Sequence, residues 1–347
     1  MNASDTKPKA IDLFAGAGGL STGLRRGGFD IVGAVEFDPT AASSYRLNHK
    51  KTPVLLKDIR SVSAPELLKL AGLKRGQVDL LTGCPPCQGF STLRRRRVID
   101  QNADPRNELI FELLRLIQEL KPHCVVVENV PGLGKDVRFD KFRRGLTATG
   151  YQHEFKILNA ADYGVAQRRK RLVLIATKIG GIPPNWSRTR AKPRTVADMI
   201  RRLPPAGASG DPLHDLPERR TPQTMARIRA TPKDGGSRAD TDGSFTTACH
   251  LSGHGYGDVY GRMAWDAVAP TITSGCHNPS KGRFIHPTED RAITLREAAL
   301  LQSFPAKYKF DLSRGKEHAA LQIGNAFPPR LIQSIAKRLA LHLKDAK

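Results

Sequence analysis

Gly83-Cys84-Pro85-Pro86-Cys87-Gln88-Gly89-Phe90-Ser91 follows the apolar run Val78-Asp79-Leu80-Leu81-Thr82 and precedes four arginines, Arg94 to Arg97. The run reads as a buried strand, and the two prolines deny the next residues a helix. A cysteine is therefore presented on a stiff turn at a strand's carboxyl end, where open α/β sheets place their ligands. Three readings of Cys87 compete. It could be a small buried loop residue, one half of a C-x-x-C redox pair with Cys84, or a nucleophile whose thiolate attacks an electrophilic carbon. Redox pairs of this spacing usually open a helix, which Pro-Pro followed by Gln-Gly-Phe-Ser does not.

Toward the N-terminus, Lys9-Ala10-Ile11-Asp12-Leu13-Phe14 reads as a first strand running into Ala15-Gly16-Ala17-Gly18-Gly19, after which Leu20 opens a helix. Glycines there let backbone approach a ligand, with the helix N-terminus as a polar cradle. The turn lacks both the G-x-G-x-x-G spacing and a Gly-Lys-Ser/Thr ending, which argues for a nucleoside held without a pyrophosphate. Ile31 to Val35 form a second strand ending in Glu36, an acid placed to accept from ribose hydroxyls. Phe37 could lie on an adenine face or be an ordinary core aromatic. Residues 54–59 read as a third strand, whose Asp58 could meet an adenine amino group.

Toward the C-terminus, Asp104-Pro105 reads as an N-cap with proline at the first helical position. The helix buries Leu109, Leu113, Leu116, Ile117 and Leu120 on one face and stops before Pro122. His123 to Val127 form a fifth buried strand that exits into Glu128-Asn129-Val130, on the same sheet edge as Cys87, which makes Glu128 a candidate acid. Residues 154–159 and 171–177 supply two more strands, a closing hairpin, with Gln167-Arg168-Arg169-Lys170-Arg171 between them. From about residue 180 glycine and proline break every long periodicity, giving a region of short elements and loops suited to partner recognition. Order returns near Pro270-Thr271-Ile272-Thr273. A short helix precedes Phe304-Pro305, and Gly324 to Pro329 is a tight turn. A last helix from about Arg330 to Leu343 buries Leu331, Ile335, Leu339 and Leu343.

The 347 residues hold 56 Lys and Arg against 33 Asp and Glu, a net charge of +23. A surplus of that size implies a polyanionic partner, nucleic acid by default. An odd number of cysteines, at 84, 87, 124, 249 and 276, suggests reduced thiols, and no zinc spacing appears among them. No apolar signal core or membrane-length run is present, so a cytoplasmic protein without metal or membrane is expected.

Taken in order, DLFAGAGG (12–19), Glu36, Asp58, GCPPCQGFS (83–91), ENV (128–130), QRRKR (167–171), RAITLREAALLQSFP (291–305) and GNAFPP (324–329) resemble the DNA (cytosine-5)-methyltransferases of bacterial restriction–modification systems. The resemblance covers roughly residues 9–178 and 265–345, with Cys84 a small departure. It implies an α/β fold: a doubly wound mixed sheet of the S-adenosylmethionine-dependent type with a smaller, loop-rich recognition domain. The expected division is 1–179 for catalysis and cofactor, 180–290 for target recognition, and 291–347 returning to complete the catalytic domain. DNA is expected in the cleft between them.

By the same resemblance Cys87 is the nucleophile that adds to cytosine C6, and nearby arginines should lower its pKa. Glu128 binds N3 and the exocyclic amine, Arg171 holds O2 and Arg169 supports the site. Phe14, Gly16, Ala17, Gly19, Glu36, Phe37, Asp58, Ile59 and Pro86 line the S-adenosylmethionine site, completed by Asn325 and Ala326. Gln88, Ser91, Arg94, Arg95, Arg96 and Arg97 fall on a loop that closes over double-stranded DNA, from which the base flips out. A monomer with a paired restriction endonuclease is the expected setting. A tRNA cytosine-5 methyltransferase and a catalytically silent DNA-binding regulator are the rival readings.

Overall fold

The computed structural model describes residues 6–86, 104–189, 191–241 and 257–346. Those within Met1–Asn159, Lys170–Arg190 and Phe327–Lys347 gather into one compact unit, and those within Ala160–Arg169 and Ala191–Ala326 into a second.

The first unit is built on strands β1 (Lys9–Leu13), β2 (Asp30–Glu36), β3 (Val54–Leu56), β4 (Leu80–Gly83), β5 (Cys124–Asn129), β6 (Gln152–Asn159) and β7 (Lys170–Thr177). They form one sheet in the order β3-β2-β1-β4-β5-β7-β6. The first five strands of the chain run parallel, with Leu13 opposite Val35 and Gly83, and Gly83 opposite Val127. Strand β7 runs antiparallel to both β5 and β6. Strands β4 and β5 are buried throughout, as their unbroken apolar runs require of central parallel strands.

Helices α1 (Gly19–Arg26), α2 (Pro39–Asn48), α3 (Ala64–Ala71), α4 (Leu109–Leu120) and α5 (Val137–Ala148) alternate with these strands. On α4 all five expected core residues are buried, and Ile110 joins them. Asp104 caps a 3-10 turn, Pro105–Glu108, that leads into this helix. The third strand is shorter than expected. It ends at Leu56, and Asp58 instead caps a 3-10 turn, Ile59–Ser61, by accepting from the Arg60 amide at 2.9 Å.

The second unit holds α6 (Val196–Ile200), α7 (Pro222–Ala230), α8 (Leu295–Leu301) and α9 (Gly315–Asn325) among long irregular segments. Its interior relies on arginines as well as apolar side chains. Fully buried Arg262 donates to the carbonyls of Ile228, Thr231, His286 and Glu289 and to the Asp290 carboxylate. Such a guanidinium meets its hydrogen-bonding needs entirely from protein acceptors. Helix α8 starts on a capping box between Thr294 and Glu297, as the Thr-x-x-Glu spacing allows.

The expected turn at 324–329 is the junction between α9 and the final helix α10 (Pro329–Asp345). Leu331, Ile335, Leu339 and Leu343 of α10 are buried. The helix lies against α1 in the first unit, where Gly23 and Gly27 leave room for it. A Cβ at Gly27 would come 2.3 Å from the Ala336 Cβ.

Candidate active site

The reversal of β7 is what assembles the polar centre of the first unit. The beginning of an antiparallel strand lies beside the ends of its parallel neighbours. Glu128, near the end of β5, faces Val173, and Arg171 stands at the start of β7. Arg171 Nε donates to Glu128 Oε1 at 2.8 Å, and the Glu128 side chain is 8% exposed. Burial pulls the Arg171 guanidinium down from its usual range, while Glu128 acts in the opposite direction. Two residues on this edge thus form a desolvated acid–arginine pair, a strong bond in low dielectric.

The Pro-Pro turn is fastened to the same edge. Cys84 follows β4 directly and is partly exposed. Asn129 Nδ2 donates to the Pro85 carbonyl at 2.9 Å, and Asn129 Oδ1 accepts from the Val130 amide at 2.8 Å. Asn129 therefore locks the turn onto β5. The sequence reading passed over it, although its position beside Glu128 in ENV was the available signal. Cys87, Gln88, Ser91, Arg94, Arg95, Arg96 and Arg97 lie outside the described residues.

At the neighbouring strand ends, Phe14 and Gly16 take positive φ values of 56° and 54°. Glycine adopts this conformation without strain, whereas Phe14 does not. Glu36 holds the turn, its Oε2 accepting from the Gly16 amide at 2.7 Å and its Oε1 from the Asp38 amide at 2.8 Å. Burial raises the Glu36 carboxyl above its usual range despite these bonds. Phe37 is 70% exposed, which removes the core-aromatic alternative. Ala17, Gly19 and Ile59 are buried, Pro86 and Asp58 are half-buried, and Asp58 lies 3.7 Å from Arg60.

A further acid lies beneath this edge. Asp12 on β1 is fully buried, and its Oδ2 accepts from Ser21 Oγ at 2.6 Å, which in turn meets Tyr45 Oη at 2.7 Å. Its Oδ1 has no partner among the described residues. Burial pushes the carboxyl up to about 7. Sequence pattern treated Asp12 only as part of a strand, because an acid flanked by Ile11 and Leu13 has the register of a core position.

Gln167, Arg169 and Arg171 alternate with exposed Arg168 and Lys170, the period of an extended chain. Gln167 and Arg169 serve the second unit. Gln167 Nε2 donates to Gln302 Oε1 at 2.7 Å, and the Ile272 amide donates to Gln167 Oε1 at 2.9 Å. Arg169 is 2% exposed and donates to the carbonyls of Ile272 at 2.8 Å and Gly324 at 2.7 Å. It thereby braces the 270–273 segment, which is irregular, against the end of α9. Asn325 is exposed at that end and Ala326 follows it, both in the second unit.

Solved structures place this fold among the DNA methyltransferases. A prophage-encoded E. coli protein described as a DNA modification methyltransferase is 25% identical, with a TM-score of 0.71 over 96% of this chain and 98% of that one. The DNMT2 of Spodoptera frugiperda shares the fold at 18% identity and a TM-score of 0.63, covering 96% of this chain and 99% of its own. Residues 8–340 match the C-5 cytosine-specific DNA methylase family, to which the chain belongs. The Type II methylase M.HgiDII of Herpetosiphon aurantiacus is 38% identical over 96% of this chain and 95% of its own length. The Type II methyltransferase M.XorII of Xanthomonas oryzae is 34% identical over 99% and 87%. The protein is a DNA cytosine-5 methyltransferase, which selects that reading over the tRNA-methylating and silent-binder rivals.

Proposed function

We propose that the protein transfers a methyl group from S-adenosylmethionine to C5 of a cytosine flipped out of a specific duplex sequence, through a covalent bond between Cys87 and C6. The observation that supports this reading most directly is the buried Glu128–Arg171 pair at the edge where β4 runs into the Pro-Pro turn.

The first unit suits the cofactor. A Cβ at Gly16 would meet nothing within 4 Å, Phe37 offers an open aromatic face, and Asp12 Oδ1 is a buried acceptor without a donor among the described residues. Phe14, Gly16, Ala17, Gly19, Glu36, Phe37, Asp58, Ile59 and Pro86 would hold it, with Asn325 and Ala326. When bound, S-adenosylmethionine supplies an electrophilic methyl group for a C5 made nucleophilic by the protein.

The protein's own part is to make C5 nucleophilic. The Cys87 thiolate forms the S–C6 bond, and the C5–C6 double-bond electrons move toward C5 and the N3 side of the ring. Glu128 donates a proton at N3 and accepts from the exocyclic amine. Arg171 donates to O2, and Arg169 holds the backbone near it in place. Loss of the C5 proton, expulsion of Cys87 and return of the N3 proton to Glu128 restore the aromatic ring, the free thiolate and the acid.

A cytosine inside the duplex is out of reach, so the base leaves the stack at a cost of about a few kcal/mol. Gln88, Ser91 and Arg94 to Arg97 would contact the DNA, and residues 180–290 would read the target. Residues 1–179, completed by 291–347, would carry cofactor and catalysis. A cytoplasmic monomer protecting host DNA from a paired restriction endonuclease is the setting that fits this chemistry.

The test is bisulfite sequencing of plasmid DNA from cells expressing the wild type or Cys87→Ser. Protected cytosines in one recurring context, absent with the variant, are expected. Identical protection in both would overturn the role of Cys87.

A further inference from the structure

Cys84 is the one polar side chain on the Pro-Pro turn, among the described residues, that faces the acid–arginine pair. Gly83 at the end of β4 stands opposite Val127 in parallel register, so the next residues along each strand, Cys84 and Glu128, are neighbours across the sheet. The Cys84 thiol and the Glu128 carboxylate therefore interact across the β4–β5 edge. The other claim on that carboxylate is Arg171 Nε, from the strand on the far side of β5. Glu128 is therefore gripped from both flanks, by a group following β4 and by one on β7.

We propose that Cys84 is a positioning residue for Glu128: its S–H donates to the carboxylate and, with Arg171, fixes the plane of the acid that meets cytosine N3. This rests on the reading of Glu128 as the group that protonates N3. The donor direction follows from the surroundings. Burial, the nearby Glu128 and Asp12 carboxylates and the bond to Glu128 push the thiol well above its usual range, and only Arg171 opposes them. Cys84 thus remains a thiol at any working pH and has a proton to give. It is the opposite of an activated nucleophile, which needs a depressed pKa and a cationic neighbour that prevails. The two cysteines of the C-x-x-C spacing then have separate duties, and the spacing needs no redox meaning.

The pair is tuned by the charged groups around it: Glu128 on β5, Arg171 on β7 and Asp12 on β1. Removing the thiol leaves Arg171 as the partner of the carboxylate among the described residues and frees the Glu128 side chain to turn. Serine keeps an O–H donor in nearly the same place, whereas alanine removes the γ atom and the donor with it.

The experiment measures single-turnover methyl transfer to a duplex for the wild type, Cys84→Ala, Cys84→Ser and Glu128→Gln, with S-adenosylmethionine affinity recorded on each preparation. For Cys84→Ala the expected result is a rate about ten-fold lower at neutral pH, since a hydrogen bond to a charged group is lost. Its cofactor affinity should be unchanged. Cys84→Ser should return the rate to wild type. A Cys84→Ala enzyme with the wild-type rate, or a Cys84→Ser enzyme as impaired as Cys84→Ala, would overturn the proposal. Full activity in Glu128→Gln would instead sink the role of Glu128 itself.

Discussion

Arg171 Nε lies 2.8 Å from Glu128 Oε1, although the two residues are 43 positions apart in a chain whose intervening segment visits both compact units. The pair exists because β7 is inserted backward between β5 and β6. A parallel β7 would start at the opposite edge of the sheet and carry Arg171 away from the acid.

Replacing Glu128 with Gln should therefore cost both chemistry and stability. Loss of the proton donor is expected to slow methyl transfer by about 100-fold or more. Leaving the Arg171 guanidinium buried beside a neutral amide should destabilise the fold by about 2 kcal/mol, below the full penalty for a buried pair because glutamine still accepts a hydrogen bond. Tritiated-methyl incorporation and urea unfolding measure the two effects separately.

Phe37 should behave in the reverse manner. At 70% exposure it contributes little to the core, so Phe37→Ala should change unfolding stability by less than about 0.5 kcal/mol. If its ring stacks on adenine, the same substitution weakens S-adenosylmethionine binding by about ten-fold, the lower end for a lost base–aromatic stack. Calorimetric titration with the cofactor distinguishes this from wild-type affinity, which would leave Phe37 no stacking role.

Gly23 is expected to tolerate no side chain. A Cβ there would sit 2.2 Å from Ile332 Cγ2 and 2.3 Å from the Pro329 carbonyl oxygen. Ile332 can rotate, but a helix backbone can yield only by moving α10 off α1. Gly23→Ala should cost about 2 kcal/mol, as overpacking does, despite alanine's better helix propensity. A lower urea midpoint at unchanged slope is the expected signature.

Asp12 makes stability depend on pH in an unusual direction for a carboxylate. Its folded value, about 7, lies above the 3.8 of a free aspartate, so the native state holds the proton more tightly than the unfolded chain does. Below about pH 4 both states are protonated and the group is neutral in its effect. As pH rises through 4 to 7 the unfolded chain releases its proton first, and the native state loses up to about 4 kcal/mol relative to it. Asp12→Asn should remove that loss, so the variant gains on the wild type between pH 5 and pH 8 in urea unfolding. An equal difference at both pH values would show that Asp12 does not titrate in this window.

Much of the framework was legible because it rests on patterns that local physics enforces. The apolar stripe of Leu109, Leu113, Leu116, Ile117 and Leu120 can be buried only by a helix, and all five are buried. The run from Cys124 to Val127 suits a strand covered on both faces, which it is. Gln167, Arg169 and Arg171 share one side of an extended chain through their spacing alone. Helices α2 and α9 were not legible. Helix α2 buries Thr40, Ala41, Ala42, Ser44 and Tyr45, which make no continuous apolar stripe, and α9 packs Ala319, Ala320 and Ile323 between polar residues. In both, tertiary contacts supply the stability that propensity does not announce.

By itself the sequence determined the strand–helix alternation, the placement of Glu36 and Glu128 at strand ends and the basic character of the surface. Those follow from period, proline and glycine stops, and charge, all of which act within a few residues. Only the tertiary structure decided that β7 inserts between β5 and β6, that Asp58 caps a turn instead of extending a strand, and that Phe37 faces solvent. It also sent Arg169 to the carbonyls of Ile272 and Gly324 while Arg171, two residues on, went to Glu128. The physical reason is common to all of these: a side chain's partner is set by which distant backbone arrives beside it, and no local rule carries that information.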